Sequence, residues 1–337
     1  MLSHWLEDKR LDNEKIDISS FGQGLQRHLI FSLIKLANKY QIKATKKKKE
    51  FKPEFLLVLF EEPEAFLHPS QQEILRLNLQ KLASNDDQQI ICTTHSPHFV
   101  SKQIYDLHSI IKLSRNEKDT KAYHISKNKL NNIIHKNSEL YELFSQKLSD
   151  TSIPANVKET IRSRHLGEDI PNLTKKYQEE SFKYFLHLDS ERSALFFAKH
   201  VIICEGASEK IFFDTIIDDL KPELRENQIY ILDSLGKFNI HRFMQLFEDY
   251  GINHSVIYDG DENRNYHDIV NNFLEQKKNL FTKIIFTFPN DLEDFLAIGK
   301  PARNDLKPLN LMIKYHDKQI DIKKINDLIE VLEKCLI

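Results

Sequence analysis

The chain has 337 residues, of which 29% are charged, but 48 Lys and Arg nearly balance 50 Asp and Glu, so the formal net charge is only -2. This balance excludes a uniformly basic coat for nucleic acid, and any phosphate-binding surface must be local. The length suits two domains. Three widely separated cysteines without a CxxC pair indicate neither a disulfide framework nor a cysteine zinc site. Without a signal peptide or a membrane-length apolar run, we expect a cytoplasmic protein with no membrane partner.

The first elements along the chain predict part of a parallel sheet. Residues 25–40 repeat apolar side chains at helical spacing, directly after SSFGQG. The run FLLVLFEEPE (55–64) predicts a strand buried on both faces, residues 71–84 a helix, and QQIICTTH (88–95) a second buried strand. A strand, a helix and a strand in succession indicate a parallel pair joined by a crossover.

Two further regions follow in chain order. Residues 109–115 and 121–125 have the pattern of a short hairpin, and a helical connector is expected over 128–199. Four β-rich runs then alternate with helical segments: HVIICEG, QIYILDS, HSVIYDGD and TKIIFTFP. This alternation predicts a small α/β domain with a mostly parallel sheet. We therefore expect an α/β protein with four parts: a first domain over 1–127, the helical connector over 128–199, the α/β domain over 200–299 and a helical extension over 300–337.

Acidic residues follow three of these four strands. Glu205 comes directly after the first, with Glu209 one helical turn later, and Asp259 and Asp261 follow the third. Strand alternation would point Asp259 and Asp261 in the same direction. Three more acids follow the fourth strand, namely Asp291, Glu293 and Asp294. Each group alone is also what a surface turn or a helix cap shows, but together they predict a cluster at the carboxyl edge of the sheet.

So many carboxylates at one edge would repel each other unless a cation neutralised them. Oxygen ligands without His or Cys favour the hard cations Mg²⁺ or Mn²⁺, bound as one or two ions. The cluster therefore predicts a divalent metal site.

The motifs EGASE, LDSLGKFN, YDGDEN and NDLEDFL, in this order, resemble the TOPRIM domain of topoisomerases, primases and a group of nucleases. The longer run LDSERSALFFAKHVIICEGASE is similar to the OLD (overcoming lysogenization defect) family of ATP-dependent endonucleases. That family joins an ABC-type ATPase to a C-terminal TOPRIM nuclease, a Rossmann-like domain. The resemblance implies a metal-dependent DNA endonuclease, with phage defence or repair open as its role. A topoisomerase or a primase would need further domains for which this length leaves no room.

The resemblance also implies a role for each acid. Glu205 and Glu209 would bind one metal ion, and Asp259, Asp261 and Glu293 would complete a one- or two-metal site, with Glu205, Asp259 and Asp261 acting in catalysis. A basic residue near the C-terminus is expected to stabilise the transition state, with Lys307 as first choice and Lys300 as second. Ser234, Gly236 and Lys237 match the family's turn after the second strand, where Lys237 either contacts phosphate or is an ordinary surface side chain.

In the first half, the resemblance implies nucleotide-binding residues. Glu61 and Glu62 take the Walker B positions, and His95 that of the switch histidine. The run SSFGQGLQR resembles the ABC signature, whose working residues would be Ser20, Gly22, Gly24 and Gln26.

No glycine lies in a GxxxxGK loop followed by Ser or Thr, so the N-terminal Walker A half of the ATPase has no counterpart. We therefore do not expect ATP hydrolysis by this chain alone, and ATP stays open as a cofactor. The expected partners are DNA, a second copy in a homodimer or higher oligomer, and a chain that supplies the Walker A half. The alternative is a non-catalytic, nucleotide-regulated DNA-binding or regulatory subunit that needs such a partner.

Overall fold

A computed structural model of the chain describes residues 5–8, 14–17, 20–22, 24–26, 29, 32, 55–84, 88–100, 104–115, 118–130, 139–164, 166–167, 192–261 and 265–336. Its contacts divide the chain into two compact units, 1–100 and 101–337. Most of the helix predicted over 25–40 lies outside the described residues. No helix in the described ranges is long and apolar enough to cross a membrane.

The first unit contains the predicted strand, helix and strand. Strand β3 (Leu56–Glu61) and strand β4 (Gln88–Thr93) pair in parallel, with helix α1 (Pro69–Ala83) between them in the chain. Two shorter strands, β1 (Trp5–Asp8) and β2 (Glu14–Asp17), form an antiparallel pair. The helix begins at the N-cap His68, whose ring nitrogen accepts a hydrogen bond from the N–H of Ser70. The parallel pair predicted from the sequence is confirmed.

The prediction that β3 is buried on both faces is wrong for the described residues. Leu57 is 49% exposed and Leu59 is 68% exposed. On the opposite face, Phe60 and Ile90 pack against Leu75 and Leu79 of α1. In the part of the unit that the structure describes, α1 covers one face of the strand pair and the other face is exposed to solvent.

The second unit begins with the predicted hairpin and helices. Strands β5 (Ile111–Arg115) and β6 (Thr120–His124) pair in antiparallel fashion, followed by α2 (Glu139–Ser149) and α3 (Ala155–Ser163). The ring of Tyr123 lies so close to Gly251 that a Cβ at this glycine would stand 2.3 Å from it, and Gly251 has a φ of 61°. Only glycine suits that position, so it allows the hairpin to pack on the rest of the unit.

Four parallel strands form the centre of the second unit, in the order β8-β7-β9-β10. The elements in chain order are β7 (His200–Cys204), α4 (Ala207–Leu220), β8 (Ile229–Asp233), α5 (Ile240–Asp249), β9 (Asn253–Asp259), α6 (Asn265–Gln276), β10 (Thr282–Phe288), α7 (Leu292–Phe295), α8 (Lys307–His316) and α9 (Ile322–Lys334). All four strands match the runs identified in the sequence. The α/β fold and the mostly parallel sheet are confirmed.

The strand order explains where a site can form. The chain moves from β7 to β8 on one side and then returns past β7 to β9 on the other, so the connections after β7 and β9 leave in opposite directions. Such a reversal opens a crevice at the carboxyl ends of the two strands. Both strands are almost completely buried, which fixes the backbone around that crevice.

The C-terminal helices belong to the core of this unit. Leu311 of α8 and Leu328 of α9 are fully buried in one cluster with Ile202 of β7 and Phe213 of α4. Burial of a leucine side chain contributes about 2 kcal/mol. The stretch expected to be a helical extension therefore supports the sheet.

Candidate active site at the carboxyl edge of the sheet

The acids predicted from the sequence gather at the carboxyl edge of the four-stranded sheet. Glu205 follows β7, Asp259 is the last residue of β9, and Glu293 lies in α7 just after β10. Glu209, Asp259 and Glu293 are 7%, 8% and 2% exposed. Carboxylates at this level of burial need hydrogen bonds, cations or added protons, and the structure shows which of these each one has.

Glu209 lies at the start of α4. Its carboxylate accepts a hydrogen bond from the backbone N–H of Gly206, over 3.1 Å, and so caps the helix. Burial nevertheless raises the pKa of Glu209 to about 7, helped by the nearby charge of Glu205. Glu209 is thus both a cap and a member of the acidic cluster.

Asp259 is the most strongly perturbed acid of the cluster. Its carboxylate accepts a hydrogen bond from the N–H of Leu292, over 3.1 Å, which ties β9 to the start of α7. Burial raises the pKa of Asp259 to about 9, and the charges of Glu209 and Glu205 add to the effect. At neutral pH, Asp259 therefore favours its protonated form unless a cation takes the place of the proton.

Two lysines after β10 face these acids. The ammonium of Lys307, the first residue of α8, lies 3.2 Å from a carboxylate oxygen of Glu293. Burial lowers the pKa of Lys307, but Glu293 outweighs burial and the pKa is raised, so the ammonium stays charged. Lys300 pairs instead with Asp291 and Asp294, and its side chain is 42% exposed. Both lysines therefore contact a buried acid, but the Lys307 side chain is the less exposed of the two, at 26%, and its partner Glu293 is the most buried acid of the cluster.

The Asp-Gly-Asp turn after β9 does not follow strand alternation. The strand ends at Asp259, and Asp261 has a φ of 54°, in the left-handed region. A Cβ at Gly260 would stand 2.5 Å from the carbonyl oxygen of Phe288, so only glycine allows this close approach. The expectation that Asp259 and Asp261 point the same way is therefore wrong, because the alternation requires extended backbone through both.

Asp261 has two basic partners of its own. One of its oxygens, Oδ2, lies 2.8 Å from the ammonium of Lys237 and 2.9 Å from Nδ1 of His267. Burial raises the pKa of Asp261, but hydrogen bonds from His267 and Lys237 outweigh it and hold the pKa well below its usual range. Lys237 is only 1% exposed, so it is neither a surface lysine nor open to phosphate. The sequence motifs did not identify His267.

Glu205 lies between these two groups of side chains. Burial raises the pKa of its carboxyl, while the charge of Lys237 lowers it. The predicted turn after β8 holds its backbone: Gly236 donates to the carbonyl of Glu205 over 2.7 Å, and the hydroxyl of Ser234 donates to that of Cys204 over 2.8 Å. The residues Ser234 and Gly236 therefore hold the end of β7 in place.

The donor set fits a hard cation, although no ready cage is formed. Glu205 Oε2 and Glu293 Oε1 are buried and have no hydrogen-bond partner among the described residues. No three Asp, Glu, His or Cys side chains in the described ranges are gathered so as to hold a metal ion as they stand. Lysine ammonium groups occupy part of that space, beside Glu293 and Asp261. A cation would need these side chains to rearrange before it could gain its ligands.

In the first unit, two of the predicted nucleotide residues meet. Glu61 ends β3, and the carboxylate of Glu62 lies 3.4 Å from Nε2 of His95 at the end of β4. The sequence motifs missed Glu64, which is 5% exposed and accepts hydrogen bonds from the hydroxyl of Thr94 and the N–H of His95. Glu64 therefore connects the two strand ends.

The signature residues are only partly described. Gln26 donates a side-chain hydrogen bond to the carbonyl of Phe21 over 2.7 Å. A Cβ at Gly24 would stand 3.1 Å from the carbonyl oxygen of Phe66, while Gly22 has open space around it. Ser20 is exposed. The turn thus lies against the segment after β3.

Comparison with known proteins gives two domain matches, in the order expected. The AAA ATPase domain family matches residues 3–100, and the overcoming lysogenization defect protein-like TOPRIM domain family matches residues 196–261. The second match contains Glu205, Glu209, Asp259 and Asp261.

Curated relatives agree with these matches. Endonuclease GajA of Bacillus cereus (strain HuB5-5) is 24% identical over 91% of this chain and 40% of its own length. The OLD nuclease of Thermus scotoductus is 22% identical, over 73% of this chain and 41% of its own length. The Old nuclease of Escherichia phage P2 is 26% identical, over 73% of this chain and 34% of its own length. The chain therefore spans less than half the length of these relatives.

The order of the two domains and the names of the relatives agree with the motifs quoted above. Residues 3–100 are an AAA ATPase domain and residues 196–261 an OLD-like TOPRIM domain, and together they confirm the resemblance to the OLD family.

Proposed function

We propose that the second unit is a DNA endonuclease that depends on Mg²⁺ or Mn²⁺. The proposal is carried by the buried acids at the edge of the sheet, where Glu205 and Glu293 each have a carboxylate oxygen without a hydrogen-bond partner in the part of the chain that the structure describes. The TOPRIM match and the nuclease names of three relatives support it. DNA is then the substrate.

The carboxylates at the edge of the sheet would bind the cation, and Lys307 would stabilise the transition state. Glu205, Glu209, Asp259 and Glu293 would hold one or two cations, and Asp261 would contribute its carboxylate from the other side of Glu205. A bound cation would supply Lewis-acid activation of the phosphate and of a water molecule. Lys307 would place its ammonium against the charge that develops on the scissile phosphate, and its contact with Glu293 aims it at the same place.

Incubation of supercoiled plasmid with Mg²⁺ or Mn²⁺ tests the proposal. The parent chain should produce nicked and linear DNA, and EDTA should stop the reaction. Asp259→Ala should lose more activity than the roughly 10- to 100-fold typical of an outer partner of a metal ligand. Asp317→Ala, an exposed acid at the end of α8, is the matched control and should cut like the parent.

A regulatory, non-catalytic subunit is the second candidate. It is favoured by the absence of a ready cage of metal ligands among the described residues. Under this alternative the pure protein shifts DNA in a gel, in a nucleotide-dependent manner with a Walker A partner, and never nicks plasmid. Nicking that persists at the parent rate in Asp259→Ala would reject the metal-site assignment.

For the first unit we propose a nucleotide site that is degenerate or completed by a partner. The contact between Glu62 and His95 supports it, since it places the two expected hydrolytic residues at adjacent strand ends. A partner that supplies a phosphate-binding loop should restore ATP turnover. ATPase assays with and without a candidate partner chain distinguish a degenerate site from a shared one.

We also propose that the chain forms a homodimer or higher oligomer through the first unit. Leu57, Leu59, Phe66 and Ile74 are each at least 49% exposed there, and a strand pair with an exposed apolar face tends to associate. Paired sites would allow both DNA strands to be cut. Light scattering at micromolar concentration should show an assembly, and a monomer that retains double-strand cutting would contradict it.

A further inference from the structure

The Asp-Gly-Asp turn is held by side chains outside the acidic cluster. His267 and Asn271 are four residues apart on α6, so they lie on the same face of that helix. Asn271 donates from its side-chain amide to the carbonyl of Gly260 over 2.9 Å. His267 reaches the carboxylate of Asp261 through Nδ1, over 2.9 Å. One helix face therefore contacts two of the three residues of the turn.

The charge of Asp261 fixes which nitrogen of His267 carries a proton. Nδ1 lies 2.9 Å from the carboxylate oxygen and 3.2 Å from the ammonium of Lys237. A lone pair on Nδ1 would face the negative oxygen and be repelled, whereas an N–H there donates to it. His267 is therefore a donor to Asp261 at Nδ1, and Lys237 and His267 meet at the same oxygen, Oδ2.

Lys237 holds the carboxylate from a different element. It lies in the turn after β8, 1% exposed, with its ammonium 2.8 Å from Asp261 and 5.4 Å above the ring of Tyr258. A buried ammonium is tolerated only with a strong partner. The carboxylate of Asp261 is that partner, so the two side chains fix each other.

We propose that His267 and Lys237 are positioning residues that orient the carboxylate of Asp261 for the cation, and that Asn271 positions the turn that carries it. This inference rests on the proposed function and deepens it. In this proposal Lys237 holds the carboxylate of Asp261 and does not contact phosphate. Outer partners of this kind fix the orientation of ligands, and their loss costs about 10- to 100-fold in metal affinity or activity.

The test measures Mn²⁺ binding by the full chain with electron paramagnetic resonance, together with the Mn²⁺ concentration that gives half-maximal nicking. His267→Leu should raise both values by about 10- to 100-fold. His267→Asn should bind and cut close to the parent, because its amide nitrogen is attached at the same position as Nδ1. Asn271→Ala should weaken Mn²⁺ binding, and Asn272→Ala, an exposed neighbour on the same helix, is the matched control.

Rescue by Asn distinguishes positioning from a purely structural role. If His267→Leu, with parent-like thermal unfolding, retains the Mn²⁺ affinity of the parent, the inference is overturned. It is equally overturned if His267→Asn is as weak as His267→Leu while both remain folded. Failure of the proposed function gives a different pattern, in which the parent itself neither nicks plasmid nor loses Mn²⁺ binding in Asp259→Ala.

Discussion

The acids proposed for the metal site in the second unit and the Glu62–His95 pair in the first unit lie in different environments. In the second unit, Asp259 and Glu293 are almost completely buried at the edge of a four-stranded sheet. In the first unit, the side chains of Glu62 and His95 are 45% and 85% exposed beside a single parallel strand pair. Electrostatic interactions are several times stronger in a buried site than in water. The acids of the proposed metal site therefore interact strongly with their neighbours, whereas the partly exposed Glu62 interacts more weakly with His95.

The largest expected effect follows from the contact between the half-buried Lys307 and the buried Glu293. Lys307→Met should lower plasmid nicking by about 100- to 1000-fold, since it removes a charge placed to stabilise the transition state. Lys300→Met should cost less than Lys307→Met, because the Lys300 side chain is 42% exposed and its contacts with Asp291 and Asp294 are more accessible to solvent than the contact between Lys307 and Glu293. Single-turnover nicking rates measure both. A reversed order would assign the catalytic role to Lys300.

Truncation of a leucine should also destabilise the second unit more than the first. Leu232→Ala, at a fully buried position of β8, should lower the free energy of unfolding of the second unit by about 2–5 kcal/mol. Leu59→Ala, at a position 68% exposed in the first unit, should change the stability by no more than about 0.5 kcal/mol. Urea unfolding followed by hydrogen exchange separates the units. Equal losses at both positions would contradict the difference in burial.

The raised pKa values predict how the metal-free protein responds to pH. A carboxyl whose pKa rises on folding stabilises the fold when protonated, and this contribution is lost as the pH rises through the folded pKa. For Glu209 and Asp259 these values are about 7 and about 9. In EDTA, this loss begins above the ordinary pKa values of 4.5 and 3.8 and ends near pH 7 for Glu209 and near pH 9 for Asp259, so the melting temperature should fall between pH 7 and 9 because of Asp259. Asp259→Asn should reduce this slope, and Mn²⁺ should raise the melting temperature of the parent but much less that of the variant.

Below pH 7, the melting temperature also depends on two buried histidines. Burial lowers the pKa of His200 and His254 to about 4, so their neutral forms stabilise the fold above their ordinary pKa of 6.5. This contribution is lost as the pH falls from 6.5 towards 4. The melting temperature measured above pH 7 is therefore not affected by the titration of these two histidines. A melting temperature that rises between pH 7 and 9 in EDTA would refute the assignment.

The smallest expected effect belongs to the first unit. Glu62→Gln should leave plasmid nicking unchanged, and the isolated chain should not hydrolyse ATP. The reason is that Glu62 and His95 are exposed and no phosphate-binding loop of Walker type is found in the sequence. A malachite-green phosphate assay measures turnover. ATP hydrolysis that disappears in Glu62→Gln would show that the first unit is a working site.

Much of the fold could be predicted because its signals are local. The four strands of the second unit are continuous apolar runs, and Glu205 and Asp259 stand at their ends in the sequence. The direction of Asp261 could not be predicted, because it depends on where β9 ends and on a left-handed backbone. His267 was missed for a related reason: its contact with Asp261 depends on the register of α6, and the signal was its spacing of four from Asn271.

Glu64 was missed although it belongs to a motif that the sequence showed. The motif EEPE draws attention to its first two acids, while the third is the one that is buried against the loop after β4. Its partners, Thr94 and His95, are 30 and 31 residues away in the chain. A contact between residues so far apart in the chain cannot be predicted from the local pattern of the sequence.

The position of Lys307 at the start of α8 has a consequence for genetics. Its helix is anchored one turn later by Leu311, which shares the core with Leu328 and Leu332 of α9. A lesion in this cluster is expected to shift α8 and to move the ammonium away from Glu293 without changing any acid. In a screen for inactive variants, substitutions at Leu328 or Leu332 would therefore have the phenotype of a catalytic lesion, and abundance measurements beside activity are needed to tell the two apart.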